Sequence, residues 1–281
     1  MQIGKWLRLK YIKIILFNTS YQILPSSLKG HYPVLTSDYF YKFAFKNRKF
    51  FLYEKDTVCF LKEQQDLLKY IPNYIYRHFY FKSEVLNPVL NEDEQFAFAS
   101  EILSALENFG KKENLTLEEL PLLVEGLTFL KNLFGDTVFE ECKKRAEFIL
   151  STNVFRVGFA HGDFHSKNIM KKNNHPVMID LDCFRKRSIQ EFDAIYFILQ
   201  SIVDLNFPMQ WYDGMAVFES NLTNNERYNQ FLAKFIDISH WKDILFLVCL
   251  DRFGQEYRYV LDIRKFQADK IKPVLNFFGL L

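Results

Sequence analysis

Apolar residues come in two textures along the chain. Over residues 32–55 they are dense, aromatic and short of helix formers. There Phe40-Tyr41-Lys42-Phe43-Ala44-Phe45 and Phe50-Phe51-Leu52-Tyr53 flank the polar run Lys46-Asn47-Arg48-Lys49, which predicts two strands joined by a turn. Residues 58–71 then place apolar side chains at Phe60, Leu61, Leu67, Leu68 and Ile71, a helical spacing that Pro72 terminates. Tyr74-Ile75-Tyr76 and Phe79-Tyr80-Phe81 predict further strand, and residues 81–86 a connection out of this region. Beyond it, 92–109 and 117–134 show helical periodicity, interrupted at Gly110 and Pro121, and 139–150 continue as helix. The pattern predicts an α+β chain, with a small, mostly β N-terminal part and a larger, mostly helical C-terminal part. No internal repeat or low-complexity linker divides it.

Composition narrows the class. With 281 residues, 49% hydrophobic and 25% charged, the chain exceeds the usual single-domain size and has ample core, so extensive disorder is excluded. The 31 Phe and 15 Tyr carry no catalytic message of their own. A net charge of +2 gives no general electrostatic grip on nucleic acid.

Near the N-terminus Lys5, Arg8, Lys10 and Lys13 interleave with Trp6, Leu7, Leu9, Ile12, Ile14, Ile15, Leu16 and Phe17. This basic, apolar start reads as a first strand or helix packed on the β-rich part, or as a surface contact with an anionic membrane. Asn18-Thr19-Ser20-Tyr21 follows instead of a small-residue cleavage site, and no uncharged apolar stretch reaches the ~18 residues a membrane span needs. A cytoplasmic protein is expected, with peripheral contact at the inner face of the membrane as the second reading. Cys59, Cys142, Cys183 and Cys249 form no Cys-x-x-Cys pair, which fits lone buried thiols in a reducing compartment.

The chemistry concentrates in two runs, His161-Gly162-Asp163-Phe164-His165-Ser166-Lys167-Asn168-Ile169-Met170 and Pro176-Val177-Met178-Ile179-Asp180-Leu181-Asp182. The first puts a carboxylate and a carboxamide five residues apart on one short loop, and the second ends an apolar strand on a further carboxylate. Kinases use an Asp to accept the substrate hydroxyl proton, an Asn five residues later for magnesium, and a second Asp after a strand for the metals. Here those positions are Asp163, Asn168 and Asp180. The His-Gly-Asp and Ile-Asp-Leu-Asp forms resemble the aminoglycoside phosphotransferase and choline kinase group, and also the bacterial lipopolysaccharide-core sugar kinases. The resemblance is sharp over residues 157–200.

It implies a two-lobed protein-kinase-like fold, with a nucleotide-binding lobe over 1–84 and a catalytic, acceptor-binding lobe over 85–281, and ATP and magnesium as cofactors. Asp163 is then the base, Asn168 and Asp180 are metal ligands, and Asp182 is a second ligand or a cap for the next turn. His161 supports the loop, while His165 contacts phosphate or caps the loop. In that layout a strand lysine touches the phosphates and pairs with a glutamate on the following helix; Glu63 and Lys55 are the favoured pair, with Lys46 and Lys49 as alternatives. No Gly-x-Gly-x-x-Gly precedes the hairpin and Gly30 is the only nearby glycine, which argues against a protein kinase. Asp193 matches a position that caps the next helix while holding the catalytic loop. Asp251-Arg252-Phe253-Gly254 lies on an apolar helix and reads as no metal motif, and His161, His165 and His175 lack the Cys or Glu to complete a zinc site.

The function implied is an ATP-dependent phosphotransferase acting on a hydroxyl of a small molecule or glycoconjugate, with a sugar of a bacterial surface polysaccharide as leading candidate. Arg185-Lys186-Arg187 then either receives an anionic acceptor or forms a solvated turn. An antibiotic phosphotransferase would line its acceptor pocket with acids, whereas Glu92, Asp93, Glu94, Glu118 and Glu119 read as solvated faces. A catalytically silent kinase-like module is the other class: the missing glycine loop favours it, and Asp163, Asn168 and Asp180 argue against it.

Overall fold

The helix after the aromatic strands begins sooner than the aromatic texture predicts. In the computed structural model, which describes residues 8, 11–13, 15–16, 19–24, 31–45, 48–205, 211–259 and 268–281, strands β1 (Tyr21–Ile23), β2 (His31–Thr36) and β3 (Tyr39–Ala44) precede helix α1 (Arg48–Lys62). The hairpin is therefore β2 to β3, with Leu35 opposite Phe40. Thr36 locks its turn: Oγ1 accepts from the Tyr39 N–H at 3.0 Å and donates to the Tyr39 carbonyl at 2.9 Å. Phe50-Phe51-Leu52-Tyr53, expected as the second strand, lies in α1. Helical geometry wins because α1 buries Phe51, Glu54, Thr57, Val58 and Leu61, a spacing that only a helix brings to one face. The helix expected over 58–71 thus starts at Arg48 and ends at Lys62, and Gln65–Tyr70 forms a 3₁₀ turn before Pro72.

β4 (Ile75–Tyr76) and β5 (Tyr80–Glu84) complete, among the described residues, a five-stranded antiparallel sheet in the order β1-β2-β3-β5-β4. Residues 81–84, expected as a connection, are therefore strand. The chain continues through β6 (Asn87–Pro88), α2 (Glu92–Glu107), β7 (Lys111–Glu113), α3 (Pro121–Phe134), α4 (Asp136–Thr152), β8 (Phe155–Ala160), β9 (Ile169–Lys172), β10 (His175–Met178) and β11 (Arg185–Ile189). It ends with α5 (Glu191–Leu205), α6 (Met215–Asn224), α7 (Glu226–Phe235), α8 (Trp241–Tyr259) and α9 (Ala268–Phe277). The periodic segments 92–109, 117–134 and 139–150 correspond to α2, to a 3₁₀ turn followed by α3, and to α4. Pro121 opens α3, where a missing N–H leaves no bond unmade. The architecture is α+β, as expected.

The chain divides into two compact units, Met1–Pro88 with Met170–Asp182, and Val89–Ile169 with Cys183–Leu281. Residues 170–182 pack with the first unit, although a division at residue 84 assigns them to the second. In the first unit Ile12 and Leu16 are buried with Val34 and Phe43, so this part of the basic, apolar start packs on the sheet; residues 1–7, 9, 10, 14, 17 and 18, and Gly30 and Lys46, lie outside the described residues. β9 and β10 form a hairpin through Asn173-Asn174, whose φ of 48° and 63° supply the left-handed backbone of a tight two-residue turn.

The second unit is mostly helical, with the three-stranded sheet β11-β8-β7. Its α3 and α8 meet backbone to backbone. A Cβ on Gly126 would sit 2.0 Å from the Leu250 carbonyl oxygen, and one on Gly254 would sit 2.0 Å from that of Leu122. Cys142, Cys183 and Cys249 are buried and in no disulfide, but Cys59 is exposed on α1, contrary to expectation. Among the described residues no helix is long and apolar enough to cross a membrane. Because neither carbonyl at the α3–α8 crossing can move aside, Gly254→Ala is expected to destabilise the protein by about 1–3 kcal/mol in urea unfolding.

Candidate active site

Chemically active side chains gather in two groups, one within each unit. In the first unit, alternation along β3 puts Lys42 on the face that carries Phe40 and Ala44, opposite Phe81 of β5. Its Nζ donates to Asp180 Oδ1 at 2.6 Å and to Glu54 Oε2 at 2.9 Å, and lies 5.7 Å from the Phe81 ring centre. Glu54 is fully buried because it stands in the apolar stripe of α1, three residues after Phe51. Asp180 comes two residues after β10 and takes a left-handed φ of 56°, which Asp tolerates better than most residues. The chain then enters a 3₁₀ turn, Leu181–Cys183, that buries Asp182. The strand does not continue through Asp182, as projecting it beside Asp180 requires.

Burial opposes the charge on Lys42, but Asp180 and Glu54, with Asp182 behind them, outweigh it and hold the ammonium well above its usual range. Glu54 Oε1 is buried with no hydrogen-bond partner. Burial therefore pushes the Glu54 carboxyl up to about 7 despite Lys42, and it likewise raises the neighbouring Tyr74 and Tyr76 phenols.

Of the site residues expected in this unit, the structure brings together Asp180 and Asp182 and leaves out Lys55 and Glu63. Lys55 is exposed on α1, and Glu63 is exposed just past its end. The displacement follows from reading the hairpin one element late: the strand before the helix is β3, whose lysine is Lys42. A signal was present in a single charged residue inside an aromatic strand, followed by a glutamate inside an apolar helical stripe.

In the second unit the loop after β8 carries Asp163. Asp193, fully buried in the first turn of α5, accepts from the N–H groups of His161 at 2.6 Å and Gly162 at 2.9 Å. Burial raises its carboxyl, opposed by His161 and by those two bonds. Gly162 has φ 76°, and a Cβ there would lie 2.2 Å from the Cys183 carbonyl oxygen, so the loop admits no side chain at this point. The Asp163 N–H donates to His161 Nδ1 at 3.3 Å, and Asn168 Nδ2 donates to the Asp163 carbonyl at 2.9 Å, which commits the amide nitrogen and turns its oxygen to other use. His165 Nε2 is 3.9 Å from Asp163 Oδ2, and burial holds this imidazole below its usual range despite that carboxylate.

Arg252 was not anticipated as part of this group. Its Nη1 donates to Asp163 Oδ1 at 2.9 Å. Asp251-Arg252-Phe253-Gly254 forms no metal motif, but each residue is engaged: Asp251 pairs with Arg185 at 2.6 and 2.8 Å, Phe253 stacks on Phe129 at 5.8 Å, and Gly254 packs on α3. Arg187 is bound by Glu113 and Glu119. Both arginines of the 185–187 run thus lie on strand β11 in ion pairs within the protein, Arg185 largely buried and Arg187 half exposed. Among the described residues no cluster of three His, Cys, Asp or Glu is placed to hold a metal.

No protein-family model matches the chain, and no curated protein matches it by sequence. Solved structures do match. Choline kinase LicA from Streptococcus pneumoniae superposes with a TM-score of 0.60 at 12% identity, over 100% of this chain and 99% of that one. This chain has a protein-kinase-like fold. A thermostable mutant of aminoglycoside phosphotransferase APH(4)-Ia shares that kinase-like fold with a TM-score of 0.60 at 13% identity, over 96% and 99% of the two chains. Amicoumacin kinase hAmiN, in complex with AMP-PNP, Ca2+ and Ami, follows with 0.53 at 12%, over 97% and 91%.

The Glu54 carboxyl has a measurable signature. Since its folded value lies above the unfolded 4.5, its contribution to stability is complete below 4.5 and is lost as pH rises through about 7. Glu54→Gln removes that dependence, so the variant is expected to gain stability relative to the parent between pH 5 and pH 8, read as the difference in urea unfolding free energy.

Proposed function

We propose that the protein transfers the γ-phosphate of ATP to a hydroxyl of a small molecule or glycoconjugate. The observation that carries this reading is the buried Lys42, bridging Glu54 and Asp180 in the first unit. An ammonium taken out of water between two carboxylates is costly as mere structure and suits a group that receives phosphate oxygens. The lysine and glutamate roles expected of Lys55 and Glu63 pass to Lys42 and Glu54.

Asp163 orients the acceptor hydroxyl and takes its proton as the new O–P bond forms and the bond between the γ-phosphorus and its bridging oxygen breaks, with ADP leaving on the electron pair. His165 stands beside this carboxylate as a neutral imidazole able to donate to a phosphate oxygen. In the first unit the carboxylates of Asp180 and Asp182, and in the second the amide oxygen of Asn168, are each hard donors of the kind suited to magnesium. Magnesium held by these donors would supply neutralisation of charge on the phosphates.

Paired acids bear on the acceptor. Glu92 and Asp93 are bound by Arg227, and Glu119 by Arg187, so these carboxylates are committed and do not argue for a polycationic substrate. A neutral sugar hydroxyl, as in a bacterial surface polysaccharide, is the first candidate. The aminoglycoside phosphotransferases among the matching folds make an aminoglycoside the second.

The test is magnesium-dependent ATP turnover with pooled sugars, lipopolysaccharide-core fragments, choline and aminoglycosides. Acceptor-dependent turnover is expected, reduced about 10²-fold or more by Asp163→Asn or Lys42→Met and left within about twofold by Lys55→Met. Turnover absent with every acceptor, or lost equally in the Lys55 variant, contradicts the reading.

A further inference from the structure

We propose that Arg252 is a positioning residue for the reaction: it fixes the orientation of the Asp163 carboxylate through one oxygen. The inference rests on the phosphotransferase reading for its kinetic consequence but not for its geometry.

Arg252 reaches the catalytic loop from α8, far along the chain, and its guanidinium is held through Nη1 and against one aromatic ring. Nη1 donates to Asp163 Oδ1 at 2.9 Å, to the Gly162 carbonyl at 3.3 Å and to Gln255 Oε1 at 3.0 Å. The guanidinium lies 4.2 Å from the ring centre of Tyr196, a cation–π contact in a site that leaves the side chain 12% exposed. Burial works against its charge, but Tyr196 and Asp163 outweigh that and raise its pKa above the usual range.

The helix behind it is fixed as well. Gln255 Nε2 donates to the Gly162 carbonyl at 2.8 Å and to Asp251 Oδ2 at 3.1 Å, while Asp251 grips Arg185. Residues 251, 252 and 255 therefore form one polar face of α8, and the glycine crossing with α3 sets where that face stands. A carboxylate is a weak base whose usefulness depends on where its oxygens point. Asn168 and Asp193 hold the loop's backbone, whereas Arg252 holds the carboxylate itself.

The test compares the parent with Arg252→Gln and Arg252→Lys, first confirming by circular dichroism that each folds. With Arg252→Gln, kcat is expected to fall about a hundredfold while KM for ATP stays unchanged, and Arg252→Lys is expected to recover part of kcat. Crystal structures of parent and Gln variant supply a readout independent of turnover: the Asp163 carboxylate is expected in one rotamer in the parent and in a different or split rotamer in the variant. An unmoved carboxylate, or a folded Gln variant with kcat within about twofold of an active parent, overturns the inference. If the parent itself consumes no ATP, the phosphotransferase reading falls and the rotamer comparison alone decides the role of Arg252.

Discussion

A lysine ammonium in the interior has few tolerable environments. Lys42 is enclosed beneath α1 and stays charged because Asp180 and Glu54 accept from it at 2.6 and 2.9 Å. Removing one partner of such a buried pair typically costs about 3–5 kcal/mol, because the remaining charge is stranded. Three elements depend on that point: β3 supplies the lysine, α1 the glutamate, and the turn after β10 the aspartate. The sheet, the helix and the Asn173-Asn174 hairpin are thereby drawn to a common position. Glu54 keeps a second, buried oxygen that bonds to no protein group, in keeping with its raised carboxyl pKa.

The second unit solves a similar problem by other means. Here the loop after β8 must present a carboxylate in a fixed place without regular hydrogen bonding of its own. Asp193 supplies two acceptor oxygens to consecutive N–H groups, Gly162 turns the backbone where no Cβ fits, and α8 adds Gln255 and Arg252 from outside. The exposed ion pairs of Arg187 and Arg227 are of a different kind. Screened by solvent, such pairs typically contribute about 0–1 kcal/mol each.

Much of this was legible in the sequence where residue type and spacing leave little freedom. The helices α2, α3 and α4 are announced by long apolar periods, and the offsets of Asp163, Asn168 and Asp180 point to the loop after β8, where Asn168 bonds the Asp163 backbone, and to the turn after β10, where Asp180 meets Lys42. The errors cluster where the two signals compete. Phe50-Phe51-Leu52-Tyr53 is β-prone by composition, but the burial of Phe51, Glu54, Thr57, Val58 and Leu61 on one face makes it helix, and tertiary packing overrides propensity. The same competition directs attention to the exposed Lys55 and Glu63 and away from the buried Lys42–Glu54 pair. Arg252 was hidden for another reason: its partner lies 89 residues away, and no local period announces so distant a pair. The basic run at 185–187 misled in the opposite sense, since its two arginines are already bound within the protein.

Isothermal titration of the whole chain with ATP and magnesium asks whether the buried lysine receives a nucleotide before any acceptor is known. Magnesium-dependent binding is predicted for the parent, lost with Lys42→Met and retained with Lys55→Met. No binding by the folded parent, or equal binding by the parent and the Lys42 variant, would contradict the account.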